Sequence, residues 1–255
     1  MRRLSLWLVC WALGLAQDLQ VRDGMATLVL ESPRPVDSAA SFFAEKFGIA
    51  ISAEDPWYLY SGDRKDVTAE VVRTPRPGLR VFVPMGGRVL VRYAASSDGR
   101  PKNVRAALQS VVDAANAQFP FAFQLRDESS MFVFVPTRKR NEAGLLIDAP
   151  ALLDRKVTIP AGTRKILEHG RLLAEALSAS SGFRVSCCQA SIGGYPWGME
   201  SVRFEATGET ARSVLLRLMA QAGRSVYTQK CDPVNPGRYS WCFINVAPLG
   251  GSPQK

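Results

Sequence analysis

Acid–base chemistry has one imidazole to work with, because His169 is the only histidine in 255 residues. It stands beside Glu168 in a charged, helix-forming stretch, where a solvent-facing position is expected, and no serine has the G-x-S-x-G surroundings of a nucleophile elbow. Metalloprotease, P-loop and EF-hand signatures are absent as well. Neighbouring carboxylates occur as Asp127-Glu128, in a predicted hairpin turn, and as Asp63 and Asp66 flanking Arg64-Lys65. Solvation explains both, and two-carboxylate glycosidase chemistry stays a third-ranked reading. The sequence is therefore read as non-catalytic and without a cofactor.

Sulfur and aromatic rings are the remaining chemical resources. Cys187, Cys188, Cys231 and Cys242 form an even set in the second half, and a vicinal pair is awkward for a tetrahedral zinc site. Disulfides are expected and a metal is not. If the first hairpin closes with Arg126 opposite Met131, its counterpart places Cys231 opposite Cys242, close enough to bond. Cys187 and Cys188 then pair with each other, stay thiols or join a second molecule. Two Pro-Trp loops follow, Asp55-Pro56-Trp57-Tyr58-Leu59-Tyr60 and Gly193-Gly194-Tyr195-Pro196-Trp197-Gly198. Trp57, Tyr58, Tyr60, Tyr195 and Trp197 are candidate binding residues, since such rings give rigid contact area. The competing reading folds each Trp over a sheet to seal the core.

The elements that would position these groups come in a repeat. Val91–Ala95, a helix through Leu108, Val112 and Ala115, then Phe121–Arg126 and Met131–Pro136, are followed in the same order by a second set. That set is Val202–Ala206, a helix through Leu215, Met219 and Ala222, Val226–Cys231 and Cys242–Ala247. The helix anchors superpose at a constant offset of 107 residues and share the 3.6-residue period, while the flanking runs alternate like half-buried strands. Upstream of each lies a strand-helix-strand unit. The first has Asp37 or Ser38 as N-cap and Gly48 as stop, and the second places its helix at Arg171–Ser180 before Gly182. Each half thus reads β-α-β followed by β-α-β-β, an α+β fold in two tandem small domains, residues 17–140 and 151–248. Residues 141–150 are the expected linker and 249–255 a tail. The segment Val67–Arg88 has no second-half counterpart and reads as an added hairpin.

Val157-Thr158-Ile159-Pro160, Leu172–Leu177 and Ser181-Gly182, continued by Val202-Arg203-Phe204-Glu205, Leu215, Leu218, Ala222-Gly223 and Tyr227, resemble the short N-terminal domain of secretins and TonB-dependent receptors. The resemblance covers Val157–Val246 and, more faintly, Ala26–Pro136. It implies a periplasmic module that docks proteins. Relatives place it before an outer-membrane barrel or a secretin ring. No barrel-like segment follows here, so a free-standing adaptor is what the resemblance implies.

Location is argued from the first seventeen residues. Arg2 and Arg3, an apolar Leu4–Leu15 and the small residues Gly14 and Ala16 make an export signal with cleavage near Ala16, an uncleaved anchor being the rival. Nothing later approaches a spanning apolar run. The net charge of +9 is spread over 24 Arg and 8 Lys among 23 acids, without a long single-sign block. Arg138-Lys139-Arg140 reads as a solvated junction and no nucleic-acid partner is expected. The expectation is a periplasmic or secreted protein docking an envelope protein, with peptidoglycan or glycan binding through the Pro-Trp loops as the alternative.

Overall fold

The computed structural model describes residues 16–72, 78–128, 131–187, 200–223, 226–235 and 238–244. Residues 1–15 of the expected export signal, Cys188, Tyr195, Trp197 and the 249–255 tail lie outside the described residues, as does the side chain of Cys242.

The chain is α+β, and its two halves repeat one pairing scheme. After β1 (Ala16–Arg22), the first half runs β2 (Met25–Ser32), α1 (Pro35–Phe47) and β3 (Ile51–Glu54). An insertion follows, β4 (Arg64–Asp66), α2 (Thr68–Val71) and β5 (Phe82–Pro84); β4 pairs antiparallel with β5 but precedes Val67, so the segment Val67–Arg88 expected as an added hairpin supplies only one strand of this pair. The half closes with β6 (Gly87–Ala94), α3 (Val104–Gln118), β7 (Phe123–Glu128) and β8 (Met131–Pro136). After the hairpin of β9 (Arg138–Arg140) and β10 (Leu146–Asp148), the second half runs β11 (Lys156–Lys165), α4 (Ile166–Ser181) and β12 (Arg184–Cys187). It ends with β13 (Ser201–Thr210), α5 (Ala211–Gln221), β14 (Val226–Cys231) and β15 (Arg238–Ile244). In one half β2 pairs antiparallel with β6, β3 parallel with β8, and β7 antiparallel with β8. In the other the same roles fall to β11 with β13, β12 with β15 and β14 with β15.

Local chemistry sets the helix ends. Pro35 opens α1, a position where its missing N–H costs nothing, and Gly48 closes it at φ 67°, a conformation that penalises any Cβ. Asp37 therefore sits in the first turn, where the helix dipole favours an anion, and is not the cap. α4 begins at Ile166, one turn before the expected start, because Glu168 turns back to accept from the Lys165 amide. Within α4 His169 is buried at 0% exposure, which corrects the expected surface position.

A six-stranded sheet in the order β12-β15-β14-β3-β8-β7 runs through both halves, joined where β14 lies parallel to β3. Alternate side chains of β8 serve different cores. Phe134 enters one with α1, α3, β2 and β6, while Val133 and Val135 enter another with α4, α5, β11 and β13. The two helical layers thus lie on opposite faces of the central sheet. A strand buried on both faces needs apolar residues at every position, and Met131-Phe132-Val133-Phe134-Val135 supplies them.

Two expectations change at the strand level. Part of the 141–150 linker is β10, paired with β9. The hairpins close differently as well. Glu128 faces Met131 and Arg126 faces Val133, a two-residue turn in place of a longer one, while Cys231 faces Tyr239 and Cys242 faces Thr228. The register that was to bring Cys231 opposite Cys242 is therefore corrected by three rungs.

Candidate functional site

The first Pro-Trp loop is folded onto the protein. Tyr58 is 4% exposed, its ring edge-on to Phe121 and its hydroxyl 3.3 Å from Asp55 Oδ1. Burial pushes that phenol well above its ordinary pKa. Trp57 is half-buried between the Phe183 ring, 4.3 Å away, and Lys139 Nζ, 3.8 Å above the indole. Burial, then the neighbouring Arg155, holds the Lys139 ammonium below its usual pKa. Tyr60 is half-buried too, with the Arg140 guanidinium 5.4 Å from its ring. These three candidates line the junction between the halves, and Tyr58 is almost wholly buried there. His169 packs on Phe204 with Nε2 3.1 Å from the Val202 carbonyl, so it serves the α4–β13 contact. Asp63, expected in solvent, is 3% exposed and paired with Arg140 at 3.3 Å. Asp66 is the solvated one, drawn down to about 2 by hydrogen bonds from Thr68 and Arg80.

The densest ionic chemistry lies where β14 meets β3. Arg212, at the start of α5, donates to both Glu54 oxygens at 2.8 and 2.9 Å, the two side chains being 3% and 0% exposed. Tyr227 Oη donates to Glu54 Oε1 at 2.7 Å, and Arg212 also reaches Asp154, which Arg126 of β7 holds in turn. Burial opposes ionisation of Asp154, yet the hydrogen bonds from Arg126 and Arg212 hold its carboxyl below the usual range. One rung along, Arg34 Nε donates to Asp55 Oδ2 at 2.7 Å and its Nη2 to the Cys231 carbonyl, while the Cys231 amide donates to the same Asp55 oxygen. Burial raises the Cys231 thiol to about 12, which disfavours thiolate chemistry there. Charges so buried cost several kcal/mol each to desolvate, on the order recovered by bidentate pairing and added hydrogen bonds. Their arrangement grips a strand. A nearby cleft walled by Pro33, Pro84, Met85, Phe119 and Phe121 has this same Arg34–Asp55 pair in its lining, already satisfied by each other.

Of these seam residues, Cys231 was singled out from the sequence for a disulfide and Tyr227 only within the resemblance, while Arg212, Glu54, Asp154 and Arg34 were not picked out. Arg212 and Glu54 are 158 residues apart, and nothing local separates an arginine at a helix start that binds a buried acid from one that meets water. No local signal marks them, because the pairing of β14 with β3 depends on which sheet edges meet in the fold.

Among the described residues, the central sheet ends on β12 at one side and β7 at the other, and no helix is long and apolar enough to cross a membrane. No protein-family model, curated protein or solved structure matches the chain.

Proposed function

We propose that this protein is an exported, non-catalytic docking module of the cell envelope, built from two tandem domains of the kind that precede secretins and TonB-dependent receptors. One observation carries the docking reading: the chain already builds its central sheet by laying the edge strand of one half against the edge strand of the other, fixed by two ionic clasps. A sheet that grows by edge addition and ends on β7 is equipped to accept a strand from another protein. The coverage of Trp57 by Lys139 and the burial of Tyr58 weigh against a glycan platform at the first Pro-Trp loop. In-envelope cross-linking followed by mass spectrometry tests the reading. A reproducible protein adduct that excess glycan does not displace is expected, whereas saturable binding to purified peptidoglycan without a protein adduct would overturn it.

A further inference from the structure

The two halves carry the same clasp, once occupied and once open. Overlaying α3 on α5 at the repeat offset brings Asn103 onto Thr210. Each is an N-cap whose side chain accepts from the amide three residues on, Ala106 in one half and Ser213 in the other. The same overlay brings Arg105 onto Arg212 and Asn116 onto Gly223. On the strands, Leu125 faces Phe134 and Phe134 faces Ala53, while Gln229 faces Trp241 and Trp241 faces Cys187. Phe123, Leu125 and Asp127 of β7 therefore correspond to Tyr227, Gln229 and Cys231 of β14.

In the second half these three positions hold β3. The Tyr227 amide donates to Ser52 Oγ, the Gln229 carbonyl accepts from the Asp55 amide, and the Cys231 amide donates to Asp55 Oδ2. Arg212 closes over Glu54, the residue paired with Gln229. In the first half the Asn116 side chain donates to the Phe123 carbonyl at 2.9 Å and accepts from its amide at 2.7 Å. Those groups consequently point away from β8, and the two-residue period of a strand turns the amides and carbonyls of Leu125 and Asp127 the same way. Arg105 is 61% exposed and reaches Asp127 at 3.2 Å, an exposed pair of little worth.

The geometry points to the outer edge of β7, from Leu125 to Asp127, as the docking site for an extended segment of a partner protein. That segment runs parallel to β7 and carries a glutamate opposite Leu125 for Arg105 to grip. Charge refines the specificity. Asp127 occupies the place of neutral Cys231, so an acid one residue after the glutamate is repelled there and an amide or hydroxyl is accepted. Asn116 blocks the strand's first rung, which limits the segment to about two paired residues plus the arginine clasp, a short contact of the transient kind.

This rests on the docking reading, and two measurements separate the failure of one from that of the other. The probe is an acetylated, amidated peptide with the sequence of residues 49–56 carrying D55N, titrated into the full chain while amide exchange at Leu125 and Asp127 is followed. Saturable binding at millimolar concentration or below, with those amides protected, is expected. Arg105→Ala, or glutamate to glutamine in the peptide, weakens it about tenfold, the value of one charge-assisted contact. Asn116→Gly frees the Phe123 rung and tightens binding, and the peptide that keeps Asp55 binds the Asp127→Asn protein more tightly than the unmodified one. Absence of binding, or equal affinity for the Arg105→Ala protein, overturns the proposal, as does concentration-dependent self-association that the peptide leaves unchanged while β7 amides become protected. Envelope adducts that survive Arg105→Ala would remove this edge while leaving docking in place. Loss of adducts from the unmodified protein would remove docking whatever the peptide does.

Discussion

Arg212 and Arg105 begin the same helix in the two halves and have opposite surroundings, so they predict opposite costs. Arg212→Ala leaves the Glu54 carboxylate buried without its main partner, and a loss of about 3 to 5 kcal/mol in urea-unfolding free energy is expected. Arg105→Ala removes an exposed pair and should cost under about 0.5 kcal/mol. Equal losses would mean that the Glu54–Arg212 pair is not buried in solution. Titration adds a second expectation at this scale. The folded-state pKa of Asp154 is depressed, so its contribution is present above about pH 3.9, the unfolded value, and is lost as pH falls through the folded one. Asp55 is raised by burial, and Arg34 only partly offsets this, so its contribution runs the other way, present at low pH and lost as pH rises through its folded value. Asp154→Asn should therefore flatten the fall in stability below pH 4, and Asp55→Asn should not. An unchanged acid slope in Asp154→Asn would show that other carboxylates govern it.

Helix ends and strand registers differ in how far they can be read locally. Gly48 was legible as a helix stop because a left-handed residue is needed there, and Gly48→Ala is expected to cost about 1 kcal/mol, measured as a shift in urea midpoint at constant slope. The repeat was legible for a similar reason, since Leu108, Val112 and Ala115 declare a helix face by spacing alone. Hairpin register was not. Glu128 and Met131 close over two residues while Cys231 and Tyr239 close over a longer loop, so one turn could not be transferred to the other. The start of α4 was missed because the 3.6-residue pattern was taken to begin at Arg171, and the charged neighbours of His169 suggested a solvent-facing position that its burial in the fold corrects. The seam was out of reach because strand order between halves depends on which edges meet, and β14 and β3 advertise nothing of their partner. Arg105 was legible only in hindsight, as the copy of a residue whose role needed the folded seam.

At the scale of the whole molecule the cores are unequal in self-sufficiency. The core of α1 and α3 draws its buried residues from Ala26 to Phe134, all in the first half. The other combines α4 and α5 with Tyr58, Phe121, Met131, Val133 and Val135 from the first half. Each such side chain contributes about 1.5 to 3 kcal/mol on burial, so residues 17–140 alone should unfold cooperatively and residues 150–255 alone should be marginal or unfolded. Calorimetry of the two fragments checks this, and a cooperative transition from 150–255 would contradict it. Intact mass of the protein recovered from the envelope checks export, with cleavage near Ala16 expected. The long sequence separation of the seam also has a kinetic side. Contacts such as Tyr227 to Ser52 span 175 residues, and loop closure of that length comes late. A chain emerging from its N-terminus can complete the first core while Glu54 waits without Arg212 and the β3 edge stands bare. For that interval the nascent protein itself displays the acidic strand that its finished form conceals, and whatever protects it from mispairing must act before β14 emerges.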